Sequence, residues 1–250
     1  MTGEVDRTIV WLTWRQLFAR RRLYLAGAFS LAPAAVTLLF RAFVDSSGTS
    51  SADFLVGLTR ELTVGTLLPL TAVVFGTTAF GGEVDDGTLI YLLVKPLARW
   101  RVVLWKYVVA VLSTAAVMLP AIVLPWLMLR SADVPAAIPV SFLVGAATGS
   151  VLYCAIFVAL GLMTRRALVA GLLYIVAIEL VLSRNVPGAR SLSIREFAIA
   201  TSQATSGSAV RIAPSPVTLS TVWWMGGIMF ASAMVVAVRR LGGYEVAERL

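Results

Sequence analysis

Six apolar runs, each near the length of a membrane crossing, divide this 250-residue chain and leave little sequence over for anything else. A helix needs about 20 consecutive apolar residues to cross the hydrocarbon of a bilayer. The runs fall near Leu23–Phe43, Leu62–Phe80, Val102–Leu129, Ile138–Met163, Ala167–Leu182 and Val217–Val238, the fifth being short. The composition agrees. Hydrophobic residues make up 59% of the chain, where roughly 45–50% is usual for soluble domains, and the mean hydropathy is +0.88. The fold class that follows is an all-α integral membrane protein with six transmembrane helices, a single membrane domain over residues 1–250.

The remaining sequence sorts into segments that serve those spans. Residues 1–22 are basic and carry Trp11, Trp14, Leu17 and Phe18 at helical spacing, with Arg15, Arg20, Arg21 and Arg22 on the charged side. This predicts an amphipathic helix lying in the cytoplasmic interface. The basic start followed by an apolar run imitates a signal peptide, but the apolar run continues past Ala32-Pro33-Ala34 to Phe40, so it reads as an uncleaved first span. Pro120 and Pro125 predict a kink near the far end of the third span. After Ser46–Ser51 the first outer connection turns more apolar, which would let the second helix extend outward. Residues 183–216 form a long extracytoplasmic loop, either a short re-entrant pair or a lid.

Orientation follows from the basic residues. With both termini inside, Arg7, Arg15, Arg20, Arg21, Arg22, Lys95, Arg99, Arg101, Lys106, Arg165, Arg166, Arg239, Arg240 and Arg249 are cytoplasmic, 14 in all. The other 7 (Arg41, Arg60, Arg130, Arg184, Arg190, Arg195 and Arg211) face outward, four of them in the one long loop. Bases concentrate on the cytoplasmic side of short loops, so both termini are expected in the cytoplasm of a multi-pass protein of the cell (plasma or inner) membrane. Bases at the ends of apolar runs meet anionic headgroups, making membrane lipids the expected partners of the net charge of +8. The bases form no stripe interleaved with aromatics, which argues against nucleic acid.

Several chemistries are excluded outright. There is no histidine, which removes His-based metal sites and Ser-His-Asp triads. A single cysteine, Cys154, allows no intrachain disulfide. The two lysines, Lys95 and Lys106, do not follow a glycine-rich phosphate-binding loop, so the chain has no standard ATP site of its own. With no paired carboxylates at catalytic spacing and no metal-ligand cluster, no catalytic residue and no bond-breaking activity is expected.

Two places remain for function. Between the second and third spans lies a charged interruption, GGEVDDGTLIYLLVKPLARWRVVLWK, from Gly81 to Lys106. Acids lead (Glu83, Asp85, Asp86), a Gly87-Thr88 turn and an apolar patch through Leu92 and Leu93 follow, and Lys95-Pro96 precedes Arg99 and Arg101. Acids before bases suit a short helix by its dipole, ended at Pro96. Such a helix would lie along the membrane and dock a soluble partner; the alternative is an ordinary solvated loop. The second place is Glu179, an acid well inside the fifth run. An ionisable group there is a candidate transport-path residue or one half of a buried pair, and Arg184 near the outer interface is its nearest partner in sequence. In the fourth span, Gly145-Ala-Ala-Thr-Gly149 is a small-xxx-small pattern, better suited to packing within the subunit than to a dimer seam. Tyr153, Cys154 and Phe157 read as packing residues.

The charged interruption has the form Glu-x3-Gly-Thr-x3-Leu-Leu-x2-Pro-x2-Arg-x6-Lys, carried by Glu83, Gly87, Thr88, Leu92, Leu93, Pro96, Arg99 and Lys106. With six spans and an amphipathic N-terminal helix, it resembles the permease subunits of type-2 ABC transporters of the exporter-like class. Glu179 followed by Pro187, Gly188, Leu192, Ser193 and Arg195 resembles a second pattern of those permeases. A small polar residue is common before the loop proline, and Lys95 departs from that. The resemblance implies a half-transporter in which two permease copies, identical or related, pair with two cytosolic ATPase subunits that bind the ATP and Mg. Residues 83–101 would be the coupling segment, with Glu83, Asp86, Gly87, Thr88, Leu92, Leu93, Pro96 and Arg99 touching the ATPase. A mechanical or regulatory subunit that passes no cargo, and an ATP-independent channel or carrier, are the competing functions.

Overall fold

The structure is a computed structural model that describes residues 20–43, 50–85, 98–130, 134–182, 187–207, 212 and 215–246. These residues form α1 (Arg20–Phe43), α2 (Ser51–Leu58, continuing through a π-helical stretch Thr59–Leu67 into Leu68–Asp85), α3 (Arg99–Leu129) and α4 (Ala137–Met163). Then come α5 (Ala167–Tyr174, running on as a π-helical stretch Ile175–Leu182), a 3-10 turn Pro187–Leu192, α6 (Ile194–Ser206) and α7 (Leu219–Val246). Five of the helices are long and apolar enough to cross a membrane. The apolar helix Ala167–Leu182 is shorter; at 1.5 Å per residue it reaches about 24 Å, short of the roughly 30 Å hydrocarbon core. The expected amphipathic helix over 1–22 lies outside the described residues except for its last three positions, which open α1.

The second helix starts at Ser51, 11 residues before the expected Leu62, because the apolar part of the preceding connection joins it. The third helix runs without interruption through Pro120 and Pro125.

Side-chain contacts give the helix directions. Ser30 Oγ donates to the Val117 carbonyl and Arg41 Nη1 to that of Met128, so α1 and α3 run parallel. Gly76 meets Phe157 and Thr77 meets Gly161, which makes α2 and α4 parallel. Gly226 lies against Leu152 of α4 and Gly242 against the Arg99 guanidinium, which sets the end of α7 beside the start of α3. These directions bring the ends of α2, α4 and α7 and the starts of α1, α3 and α5 to one end of the bundle. It carries Arg99, Arg101, Lys106, Arg165, Arg166, Arg239 and Arg240 and is the basic end of the bundle.

The core is centred on α4, which packs against α2, α3, α5, α6 and α7. In their most apolar windows α1 and α7 are 28% and 22% buried, against 61% for α4. In a water-soluble fold that would be an exposed apolar surface too large to tolerate. In a bilayer it is the lipid-facing or partner-facing side. The exposed Trp223 and Trp224 at the start of α7 suit the membrane interface, where indole rings are at home.

Candidate functional site

The described part of the segment after α5 packs into the bundle. Its main element, α6, buries Ile194, Phe197, Ala198, Ile199 and Ala200. It runs antiparallel to α4, with Ser202 beside Gly145, Ala198 between Gly145 and Gly149, and Ser193 near Tyr153. Tyr153 lies 16 residues along α4 from Ala137, about 24 Å from that end by helical rise. The N-terminus of α6 is therefore deep in the bundle, and α6 climbs from there toward the end opposite the basic one. In the described part of this segment the main element is a single helix packed within the bundle.

Close approach requires the two glycines of the small-xxx-small pattern. A Cβ on Gly145 would collide with Ser202 Oγ and the Ala198 carbonyl oxygen, and one on Gly149 would lie 2.5 Å from Leu68 Cδ2. The pattern thus serves packing of α4 against α6 and α2 within one subunit, as expected from the sequence.

Glu179 sits at the inner end of α6, in the π-helical stretch of α5, and is 2% exposed. Its Oε1 accepts hydrogen bonds from Tyr153 Oη at 2.7 Å, the Ile194 backbone N–H at 3.0 Å and the Arg195 N–H at 3.4 Å. Oε2 accepts from Ser193 Oγ at 2.5 Å. Ser193 is also the N-cap of α6, its hydroxyl accepting from the Glu196 N–H at 3.3 Å. A buried carboxylate is tolerable only when paired and hydrogen-bonded, and the positive end of a helix dipole is a favourable place for it. The sequence left a transport-path residue and one half of a buried pair open; the structure buries Glu179 against donors from Tyr153 and residues 193–195, and Arg184 lies outside the described residues.

A second polar contact starts from Arg195 itself. Arg195 Nη2 donates to Glu61 Oε2 at 2.5 Å, and Arg60 Nε stands 3.6 Å from Glu61 Oε1. Gly65 opposes the Arg195 guanidinium with no side chain in its way. The pair joins α6 to the π-helical part of α2, so both π-helical stretches carry the acids that hold α6. Such stretches are uncommon and often mark functional positions.

At the basic end, Lys106 is 1% exposed although the sequence placed it among headgroup-facing bases. Its Nζ donates to the Ala79 carbonyl at 2.7 Å and sits 4.5 Å from the centre of the Phe80 ring. One buried ammonium thus fastens the end of α2 to the start of α3, at the base of the charged connection. Within that connection Glu83 falls in the last turns of α2 and Arg99 is the exposed first residue of α3. Asp86, Gly87, Thr88, Leu92, Leu93 and Pro96 lie outside the described residues. No group of three or more His, Cys, Asp or Glu able to hold a metal occurs among the described residues.

Tyr153 and Ser193 as ligands of Glu179, and the Glu61–Arg195 pair, were not read from the sequence. One signal was present: Ser193-Ile-Arg-Glu196 has the Ser-x-x-Glu form of a helix N-terminus.

The helices α1 to α6, with their charged connection and their buried acid, are the part of the chain that comparison with known families recognises. A family model described as "ABC-2 family transporter protein" matches residues 23–205. The chain belongs to this family. As an ABC-2 family member it is a multi-pass membrane permease of an ABC transporter, of the kind that works with an ABC ATPase. The match begins at Leu23, the first residue of the expected first span, and ends at Thr205 in the last turn of α6. It therefore covers the Lys106 fastening and the whole Glu179 cluster of this ABC-2 permease. No match was found among curated proteins.

Proposed function

We propose that this ABC-2 permease is the membrane half of an ATP-driven exporter. In this reading two copies, or one copy and a related permease, enclose the path, and two cytosolic ATPase subunits bind the ATP and Mg and drive it. The observation that carries the reading is the family match over residues 23–205 together with the charged connection at the basic end. That end is cytoplasmic by the bias of bases toward the cytoplasm, which puts both termini and residues 83–101 inside the cell. The 83–101 segment docks on the ATPase, with Glu83, Asp86, Gly87, Thr88, Leu92, Leu93, Pro96 and Arg99 at the contact. The fifth span is completed by two half-helices, α5 from the basic end and α6 toward the opposite one, which supports a count of six crossings. The Lys106 bond to Ala79 supports a stroke transmitted to α2 and α3 together, because it leaves little slack between them.

The test is to purify the tagged chain from native membranes and identify what accompanies it. An ABC ATPase recovered in equal amount, and lost when residues 83–101 are scrambled, is the expected result. The chain recovered without an ATPase, with its spans correctly inserted, would turn the reading toward a channel or carrier. If the ATPase is present, stimulation of hydrolysis by cargo separates an exporter from a mechanical or regulatory subunit.

A further inference from the structure

We propose that Glu179 is a positioning residue that latches the deep end of α6, with the Arg195–Glu61 pair as a second latch point, so that α6 is tied at once to α5 and to α2. The carboxylate belongs to α5, yet its described donors are the cap residue of α6, the first two N–H groups of α6 and Tyr153 of α4. The first turn of any helix leaves N–H groups without partners inside the helix. Here, with Ile194 and Tyr153 fully buried, an acid from another helix supplies the acceptor. Ser193 passes the connection on, accepting from Glu196 and donating to Glu179.

The rest of α6 offers no comparable anchor to α4. Ser202, at the tightest contact, donates to the Ala198 carbonyl of its own helix at 2.9 Å. At the other end Gln203 bonds Ile212 and Ser215, in the chain's own continuation. Polar attachment to other helices is thus concentrated at residues 193–195, at the deep end. Displacement of α5 or α2 then carries the start of α6 with it.

The latch does not depend on the exporter reading and is tested without a transport assay. Cys154 is the single native cysteine, so a Cys154→Ala chain accepts a reporter thiol at Ser202, buried on α6, or at Ser113, buried on α3. Labelling is followed with a membrane-impermeant maleimide in native membranes. Cys at position 202 is expected to react slowly. Glu179→Ala should speed that reaction about tenfold or more, since several hydrogen bonds to a charged acceptor are lost. Glu179→Met, which fills the volume without an acceptor, should match Ala. Glu179→Gln, which keeps one acceptor oxygen, should fall between them and the parent. Cys at position 113 should stay unreactive throughout.

Equal protection of position 202 in the parent and Glu179→Ala would overturn the latch, as would Glu179→Met behaving like the parent. If Glu179→Ala exposes both reporters, the bundle as a whole has loosened, and the decision passes to Tyr153→Phe, which removes one hydroxyl donor. Faster labelling at 202 alone would support the latch, and any other pattern there would overturn it.

Discussion

Replacing Gly145 by Ala adds one methyl group at the seam where α4 meets α6. The new carbon would fall well inside contact distance of Ser202 Oγ and of the Ala198 carbonyl oxygen. The serine hydroxyl can rotate away. The carbonyl belongs to the backbone of α6, so relief requires α6 as a whole to withdraw by about 1 Å, and overpacking of this kind costs about 1–3 kcal/mol. Alanine is also the better helix former by about 1 kcal/mol, so a matched control is needed to isolate the clash. Gly227, in α7, provides it: a Cβ there meets nothing within 4 Å. The propensity gain is common to both substitutions and cancels in their difference. Gly149→Ala belongs between them, because the atom it meets is Leu68 Cδ2, the end of a side chain that can turn aside. The assay is the apparent melting temperature of each variant, purified in one detergent. For a chain of this size 1 kcal/mol corresponds to about 2–4 °C. Gly145→Ala is expected to melt several degrees below Gly227→Ala, with Gly149→Ala intermediate. If Gly145→Ala and Gly227→Ala melt together, the packing of α6 against α4 described above is wrong.

Replacing Glu83 by Ala, or reversing Arg99 to Glu, should uncouple ATP hydrolysis from transport while leaving the spans inserted; unchanged coupling in reconstituted vesicles for both variants would count against the docking segment. Lys106→Ala removes a charge-assisted bond to the Ala79 carbonyl and the packing of its apolar stem, and should lower stability by about 2–3 kcal/mol. Lys106→Met keeps the stem and should lose less, and the two melting temperatures in the same detergent check that order.

The membrane nature of the chain and the basic end were legible in the sequence because each depends on short stretches read alone. Hydropathy over about 20 residues marks a span, and a base at the end of a run marks its interface, whatever lies beside it in space. The Gly145/Gly149 pattern was equally readable as a contact surface, but its partner was not. Nothing local to the fourth span indicates that residues 198–202 lie against it. The fifth apolar run was legible as short, and the packing of α6 inside the bundle was hidden by the polar residues around Arg195 and Glu196. Their charges are in fact engaged: Arg195 pairs with Glu61, 134 positions away, and Glu196 accepts from Ser215.

Glu179 and Lys106 divide most clearly between the two sources. Sequence alone made each of them notable, an acid inside an apolar run and a base at the edge of one, because charge in hydrocarbon is costly and must be compensated. It could not say by what. For Glu179 the nearest base in sequence was Arg184, whereas the described donors come from Tyr153, 26 residues earlier, and from residues 193–195. For Lys106 the described acceptor is a backbone carbonyl 27 residues earlier, and backbone acceptors leave no mark in a sequence. Hydropathy and charge order follow from the chemistry of each residue in turn. The compensation of a buried charge depends on which helices become neighbours, and that was decided by the packing of α2, α3, α5 and α6 around α4.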